Sequence, residues 1–179
     1  MVELFVVPSD ASASPLRLDA GLVSGGDVSA FSLAPDGSRV VYLADQRVDG
    51  ISEPFVVPAD GSAPAVALDT LAGFADVSGF QIDPDSQRLF YRCDRAADEV
   101  VELFSVPLDA SAPPARLNRN LPAGGDVQAD LAALSGGRVL YRADMDANNV
   151  FELFSFLNLG SADPFRPAPT PRRSTSIRH

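Results

Sequence analysis

The chain has 179 residues, a formal net charge of −10 and 46% hydrophobic residues, which is enough apolar material for a packed core and argues against wholesale disorder. An acidic chain repels phosphate backbones, so nucleic-acid binding is disfavoured. No apolar run approaches the 18 or so residues that span a bilayer. Cys93 is the single cysteine, which excludes an internal disulfide and a cysteine-rich metal site, and its expected role is that of a small buried strand residue.

Four short strands are predicted in the first complete set of elements, because runs rich in Val, Phe, Tyr and Leu are bounded by turn residues. They cover about residues 27–33, 39–45, 53–58 and 65–68. A hairpin turn is predicted between the first two, where Pro35 presets φ and Gly37 accepts positive φ. The second strand is apolar on both faces, so it needs packing neighbours on both sides, and this favours radially stacked sheets.

The same elements recur about every 50 residues. A Glu-x-Phe motif begins at Glu3, Glu53, Glu102 and Glu152, a Tyr-x-x-Asp motif at Tyr42, Tyr91 and Tyr141, and an Asp-Val pair at Asp27, Asp76 and Asp126. The three markers keep one register, which makes chance similarity improbable. They predict units near residues 2–50, 51–100 and 101–150, followed by a partial unit at 151–166.

The segment SLAPDGSRVVYLAD at residues 32–45, followed by EPFVVPADG at 53–61, resembles the repeat of TolB-like, or WD-like, β-propeller proteins. The resemblance covers residues 2–166, nearly the whole chain. It implies an all-β fold, namely a β-propeller segment of about three and a half four-stranded blades that could belong to a six- to eight-bladed ring. Related propellers also lie beside the catalytic domain of prolyl-oligopeptidase-like enzymes.

The third unit departs from the pattern. It has the residues Leu134–Gly137 where the first two units have a Pro-Asp turn, and Asp130 aligns with Phe31 and Phe80. We therefore expect the third blade to be distorted or to lie at an edge. Residues 167–179 are rich in proline and arginine, which predicts a disordered tail.

Most catalytic chemistries find no support in the sequence. The only histidine is His179, in the predicted tail, so a Ser-His-Asp or Cys-His arrangement within the chain is close to excluded. The pairs Gly25-Gly26 and Gly124-Gly125 lack the lysine of a phosphate-binding loop, and a tight turn with positive φ is their expected role. The chain is predicted not to be an enzyme.

One candidate metal site follows the second strand of the third unit. Asp144, Asp146 and Asn148 place oxygen ligands at alternate positions, and Glu152 follows. A loop of this kind can wrap a hard cation such as calcium, which takes six to eight oxygen ligands. The alternative is that the Asp and Asn side chains cap the loop backbone as Asx-turns, with the Glu pairing nearby. No other cofactor is expected.

Together these observations predict a non-catalytic propeller module that binds a protein or a small ligand, or acts as a scaffold. A periplasmic or extracellular location is implied by the resemblance alone, and no signal peptide is visible. Two alternatives stay open: the accessory propeller domain of a prolyl-oligopeptidase-like hydrolase whose catalytic domain is absent here, and a gene fragment without independent function. Since closed propellers have four to eight blades, self-association through exposed terminal blades is also expected.

Overall fold

A computed structural model describes residues 1–157 of the chain. In this range the backbone forms strands and no helix, and therefore no helix that could cross a membrane. The strands are β1 (Phe5–Val6), β2 (Leu16–Arg17), β3 (Val28–Leu33), β4 (Arg39–Ala44), β5 (Glu53–Pro58), β6 (Val66–Ala67), β7 (Val77–Ile82), β8 (Arg88–Cys93), β9 (Glu102–Pro107), β10 (Ala115–Arg116), β11 (Val127–Leu134), β12 (Arg138–Ala143) and β13 (Glu152–Leu157).

The strands form four antiparallel sheets. A two-stranded N-terminal ribbon (β1–β2) is followed by blade 1 (β3–β6), blade 2 (β7–β10) and blade 3 (β11–β13), and within each sheet neighbours in sequence pair with one another. The four strands predicted in the first set are confirmed to within one residue at each end. The sequence repeat and the blade are out of phase, because the unit at 51–100 supplies β5 and β6 to blade 1 but β7 and β8 to blade 2.

The repeated Tyr and Phe residues form the centre of each blade. Tyr42 lies opposite Phe55 in the register of β4 and β5, and the equivalent pairs are Tyr91 with Phe104 and Tyr141 with Phe154. Their rings stack with centroids 5.3, 5.7 and 5.7 Å apart. Opposite residues on one face of a sheet are its main side-chain contacts, so this pair sets the register in each blade.

Blades 1 and 2 are apolar on both faces, as the pattern of strand 39–45 predicts, whereas blade 3 packs a core on its Tyr141 face. On blade 1, Tyr42 and Phe55 pack toward Leu4 of the ribbon, whereas Val41 and Val56 pack toward blade 2. A third core lies between blades 2 and 3, where Leu103 contacts the Tyr141 face. Burying one such side chain contributes about 1.5–3 kcal/mol, so the face-to-face contacts hold the arc together.

Blade 3 contains a wider bulge than the others, in line with the expected distortion. The register shifts between Val127 and Leu131, compared with a shift between Val28 and Ala30 in blade 1. The extra residues place Leu131, not Asp130, opposite Tyr141. The alignment of Asp130 with Phe31 is therefore wrong in three dimensions. Asp130 instead forms an exposed ion pair with Arg142 at 2.6 Å.

Residues 158–179 lie outside the described part of the chain. The end of the partial unit at 151–166 and the predicted tail at 167–179 both fall there in whole or in part, and so does His179. The described segment of the partial unit, β13, pairs with β12 and belongs to blade 3.

Candidate functional site

The loops at one end of the blades form a continuous surface, which we call the upper rim. It consists of the β4–β5, β8–β9 and β12–β13 loops together with the connections that lead into β7 and β11. The aspartates Asp45, Asp94 and Asp144, which end the Tyr-x-x-Asp motifs, lie at its base, directly after β4, β8 and β12. Val48, Phe74 and Val150 are exposed at its loops, and exposed loops on a rigid scaffold are the usual location of binding residues.

The repeated Asp-Val pair joins each blade to the one before it. The Asp76 carboxylate accepts a hydrogen bond from Ser52 N–H at 2.6 Å, and Val77 N–H donates back to the Ser52 carbonyl at 3.0 Å. Asp126 and Val127 make the same two bonds to Val101 at 2.8 and 2.9 Å. Between the ribbon and blade 1, Asp27 and Val28 make them to Val2. We call this arrangement the inter-blade latch.

The aspartate that follows each tyrosine supports the latch. Asp45, Asp94 and Asp144 each accept a hydrogen bond from the backbone N–H of the latch aspartate of their own blade, at 2.5, 2.7 and 2.6 Å. Asp144 also accepts one from Asn149 N–H at 2.8 Å. Burial raises the pKa of the Asp144 carboxyl, but the Asp126 and Asn149 amides outweigh this, so its pKa lies below the ordinary value.

The structure places the four predicted calcium ligands as follows. Asp144 is buried and directed at backbone amides, and Asp146 is exposed and pairs with Arg119 at 2.9 Å. Asn148 lies against Gly124, with its amide nitrogen 2.6 Å from where a Cβ would stand, and Glu152 is exposed at the start of β13.

Within residues 1–157, no three His, Cys, Asp or Glu side chains are grouped so that they could hold a metal ion. The hydrogen bonds of Asp144 match the capping alternative. Calcium binding stays a prediction, and a calcium-dependent rise in melting temperature that is lost in Asp146→Asn would support it.

A layer of Glu–Arg pairs lies beneath the upper rim. Glu53 is almost fully buried and receives two hydrogen bonds from the Arg47 guanidinium and one from Leu71 N–H. In blade 2 the equivalent Glu102 is paired with Arg116 through Oε1 at 2.7 Å. Its buried Oε2 has no hydrogen-bond partner, because Ala96 stands where blade 1 has Arg47.

The tyrosine hydroxyls end in this same layer. Tyr42 donates to Gln46 at 2.7 Å and Tyr91 to Asp69 at 2.6 Å, and Arg95 also pairs with Asp69 at 2.9 Å. Tyr141 contacts the Met145 sulfur at 3.9 Å. Burial raises the pKa of Tyr91, with the negative charge of Asp69 adding to the effect.

Cys93 is a fully buried free thiol in β8, as predicted. Burial raises the pKa of the Cys93 thiol to about 12. The thiolate is the reactive form of cysteine, so this side chain is protonated at neutral pH and serves as a core residue.

The two end faces of the arc expose apolar side chains that are buried at equivalent positions elsewhere. Leu153 of blade 3 is 74% exposed, whereas the equivalent Leu103 is 0% exposed. At the other end Phe5 is 50% exposed, compared with 2% for Phe55. Phe31 and Leu33 of β3 are exposed as well, because the ribbon beside them has only two strands.

A cavity of about 420 Å³ lies at the outer edge between the ribbon and blade 1. Its charged lining residues, Arg17 and Asp19, hydrogen bond to each other at 2.7 Å, and Asp19 also accepts from Leu4 N–H. These charges are therefore occupied in holding the ribbon rather than free to bind a ligand.

Comparison with known proteins supports this architecture. No protein-family model matches the chain, and no curated protein matches it. A solved structure from Agrobacterium tumefaciens, whose description names TolB, matches with a TM-score of 0.55 and 17% identity over 89% of this chain. The chain has a TolB-like β-propeller fold. It spans about half of that structure, since 54% of the other chain is covered.

A second solved structure, a puromycin-hydrolyzing peptidase from Mycobacterium tuberculosis, matches over 82% of this chain and 32% of its own length. The identity is 14% and the TM-score is 0.32, which is too low to carry an argument. The comparisons thus establish the TolB-like propeller fold and leave the activity to be proposed.

Two features of this TolB-like arc were not found from the sequence. The latch needs bonds between a side chain and the backbone of another blade, about 25 residues away in sequence, as between Ser52 and Asp76. The repeated Asp-Val pair was the available signal, but a repeat alone does not identify a bonding partner. The orphaned Glu102 oxygen could have been suspected from the change of Arg47 to Ala96 between units.

Proposed function

We propose that the chain is a non-catalytic β-propeller module that binds a protein or other ligand, or acts as a scaffold, in the bacterial envelope or exterior. The observation that carries the proposal is the use of the repeated polar residues. Hydrogen bonds from backbone N–H groups of the latch are accepted by the carboxylates of Asp45, Asp94 and Asp144. These carboxylates are therefore not placed to act as general acids or bases on a substrate. The location rests on the resemblance to TolB-like propellers.

The surface left for binding is the upper rim. Its loops expose apolar side chains, of which Val48 and Phe74 are each about half exposed, beside the exposed acids Asp49, Asp98 and Glu99. Apolar contacts with nearby charges are typical of recognition surfaces on rigid scaffolds. The partly buried latch holds these loops in place, so the rim is organised before a ligand arrives.

Site-specific photo-crosslinking tests this proposal. A photoreactive residue is placed at Val48 or Phe74 on the upper rim, or at the exposed Ala112 between β9 and β10 as the control. The purified chain is then irradiated in envelope and cytosolic extracts. We expect one discrete adduct from the envelope extract with both rim positions and none with the control.

Two results would overturn the proposal. Adducts that form equally from all three positions, or from neither rim position, would contradict rim recognition. Turnover of chromogenic ester or peptide substrates by the purified chain, above that of a heat-unfolded sample, would contradict a non-catalytic role.

A further inference from the structure

A buried carboxylate in blade 2 has the surroundings of an arginine-binding position. It belongs to Glu102, and we call this carboxylate, together with the region between it and Ala96 of the β8–β9 loop, the Glu102 pocket. Glu102 is 4% exposed, and its Oε2 is the one buried side-chain oxygen within residues 1–157 that has no hydrogen-bond partner. A buried carboxylate oxygen without a donor is costly, so a donor that reaches this atom gains a strong hydrogen bond.

Blade 1 shows how the equivalent carboxylate is bound. Arg47 extends from the β4–β5 loop, and its Nε donates to Oε2 of Glu53 at 2.7 Å while its Nη2 donates to Oε1. Glu53 begins β5 opposite the last residue of β4, and Glu102 begins β9 opposite the last residue of β8. The strands therefore present the two carboxylates in the same way.

The β8–β9 loop also repeats the turn of the β4–β5 loop. Both loops contain a residue with positive φ at the same position, Gly50 at +81° and Glu99 at +58°. A turn hydrogen bond of 3.1 Å closes each loop, in blade 2 from Val100 N–H to the Ala97 carbonyl. The loop thus places Ala96 where blade 1 has its arginine. Ala96 is exposed, so the Glu102 pocket begins at the upper rim.

The arginines of blade 2 beside the Glu102 pocket are engaged elsewhere. Arg116 binds Oε1 of Glu102 at 2.7 Å and the Asn120 side-chain oxygen at 2.9 Å. Arg95, in the β8–β9 loop, pairs with the buried carboxylate of Asp69 at 2.9 Å. Turning either arginine toward Oε2 would break one of these pairs. A donor for Oε2 that avoids this loss comes from another molecule.

The chemistry of the Glu102 pocket favours a guanidinium over other cations. Calcium and magnesium take about six oxygen ligands or more, and no group of three potential metal-binding side chains lies within residues 1–157. A lysine ammonium is more strongly hydrated than a guanidinium, so its burial costs more. The exposed acids Asp98 and Glu99 of the same loop attract a cation to this part of the rim.

We propose that the Glu102 pocket binds the arginine side chain of a partner protein, whose guanidinium donates to Oε2 of Glu102 as Arg47 donates to Glu53. The arginine enters from the upper rim beside Ala96. This role rests on the proposed function of the chain as a binding module, and it names the chemistry of one contact with the partner. Blade 1 offers no second site of this kind, because its own Arg47 holds the equivalent position.

The test titrates N-acetyl-arginine amide into the full chain labelled with ¹⁵N and follows the backbone amide chemical shifts. Saturable shifts are expected, confined to the β8–β9 loop and the start of β9. N-acetyl-citrulline amide has nearly the same shape without the charge. It is expected to bind about tenfold more weakly, because a charged donor makes the stronger hydrogen bond to a carboxylate.

Three chain variants locate the site. Ala96→Arg supplies the arginine from the chain's own loop, so it is expected to abolish the shifts. Ala112→Arg is the matched control, because it adds the same charge at an exposed position between β9 and β10, and it should leave binding unchanged. Arg47→Ala opens the equivalent position in blade 1, so shifts are then expected in the β4–β5 loop as well. If Arg47→Ala does not fold by circular dichroism, the first two variants decide alone.

The proposal is wrong if the shifts do not saturate, if they spread over the acidic surface, if the citrulline compound binds as tightly, or if Ala96→Arg keeps the full response. A chain that forms rim adducts in the crosslinking experiment but does not bind the arginine probe keeps the proposed function and loses this site. A chain that binds the probe but forms no rim adduct keeps the Glu102 pocket and loses the rim proposal.

Discussion

Glu102 carries the one buried side-chain oxygen without a hydrogen-bond partner in the described part of the chain. The contrast with Glu53 shows the cause, since both oxygens of Glu53 are bound by Arg47 and Ala96 occupies that position in blade 2. A buried carboxylate oxygen left without a donor loses its hydration without compensation. Blade 1 therefore indicates that an arginine at position 96 would supply the missing hydrogen bond to Glu102.

We predict that Ala96→Arg stabilises the chain by about 1 kcal/mol, because a hydrogen bond to a buried charge outweighs the side-chain entropy of the new arginine. Differential scanning calorimetry should show a melting temperature raised by about 2–4 °C for a domain of this size. Ala97→Arg adds the same charge at an exposed neighbouring position and is expected to change the melting temperature by less than about 1 °C. An equal rise in both variants would show that net charge, not Glu102, is responsible.

Gly50 lies in the β4–β5 loop, and its backbone conformation can be tested by substitution. Its φ is +81°, in the left-handed region, and a Cβ added there would meet no atom within 4 Å. Gly50→Ala is therefore expected to destabilise the chain by about 1 kcal/mol through backbone strain alone. Gly79→Ala is the matched control, because Gly79 lies in β7 without positive φ and its Cβ would make an ordinary contact with Arg92. Urea unfolding of the two variants should separate them, and equal midpoints would contradict the strain argument.

At the scale of the element, the latch connects each blade to the next through groups that are far apart in sequence. The Asp144 carboxylate accepts hydrogen bonds from the backbone N–H groups of Asp126 and Asn149. The Asp126 carboxylate in turn accepts a hydrogen bond from the backbone N–H of Val101 in blade 2. Loss of one acceptor in this chain of bonds is expected to loosen the contact between blades 2 and 3. The exposed Asp146 nearby takes no part in it.

We predict that Asp144→Asn lowers the free energy of unfolding by about 2 kcal/mol at pH 7, since a hydrogen bond to a charged group contributes about 1.5–3 kcal/mol. The folded-state pKa of Asp144 lies below its ordinary value of 3.8, so its contribution is present above that value and is lost as the pH falls through the folded-state pKa.

The difference in free energy of unfolding between the native chain and Asp144→Asn should therefore shrink on acidification. Thermal unfolding followed from pH 7 to pH 2.5 can measure this change. The control, Asp146→Asn, is expected to lower the free energy of unfolding by less than about 0.5 kcal/mol, because the ion pair of Asp146 with Arg119 is exposed. A difference for Asp144→Asn that stays constant with pH would contradict the charged hydrogen bonds.

Much of the element scale could be predicted from the sequence. The strands of blade 1 were predicted to within one residue at each end, because β-branched and aromatic runs bounded by turn residues, such as Pro35 and Gly37, are strong local signals. The position of Leu131 opposite Tyr141 was not predicted, since a bulge changes the register of two strands without changing their composition. The latch was missed for a related reason, because its partners are set by the packing of blades and not by neighbours in sequence.

At the scale of the whole molecule, the arc leaves two unlike ends. The blade 3 end exposes Leu153 and Leu157, and the ribbon end exposes Phe5 and Val7. Within the arc, equivalent residues of these two kinds of face bury each other, as Leu103 of blade 2 does against the Tyr141 face of blade 3. Exposed apolar faces of this kind drive association, and two unlike complementary faces produce head-to-tail contacts rather than two-fold symmetric ones.

We therefore predict that the full chain self-associates as its concentration rises, with an average mass that increases in light scattering. Phe5→Asp and Leu153→Asp each place a charge on one end face and should move the distribution toward the monomer by at least threefold in dissociation constant. Val48→Asp makes the same change in charge at an exposed loop residue of the upper rim, and it should leave the distribution unchanged. If Val48→Asp acts as strongly as the other two, association depends on net charge. If no variant acts, the end faces are not the contact. A decrease confined to Phe5→Asp and Leu153→Asp assigns the contact to the faces that blades use for one another inside the arc.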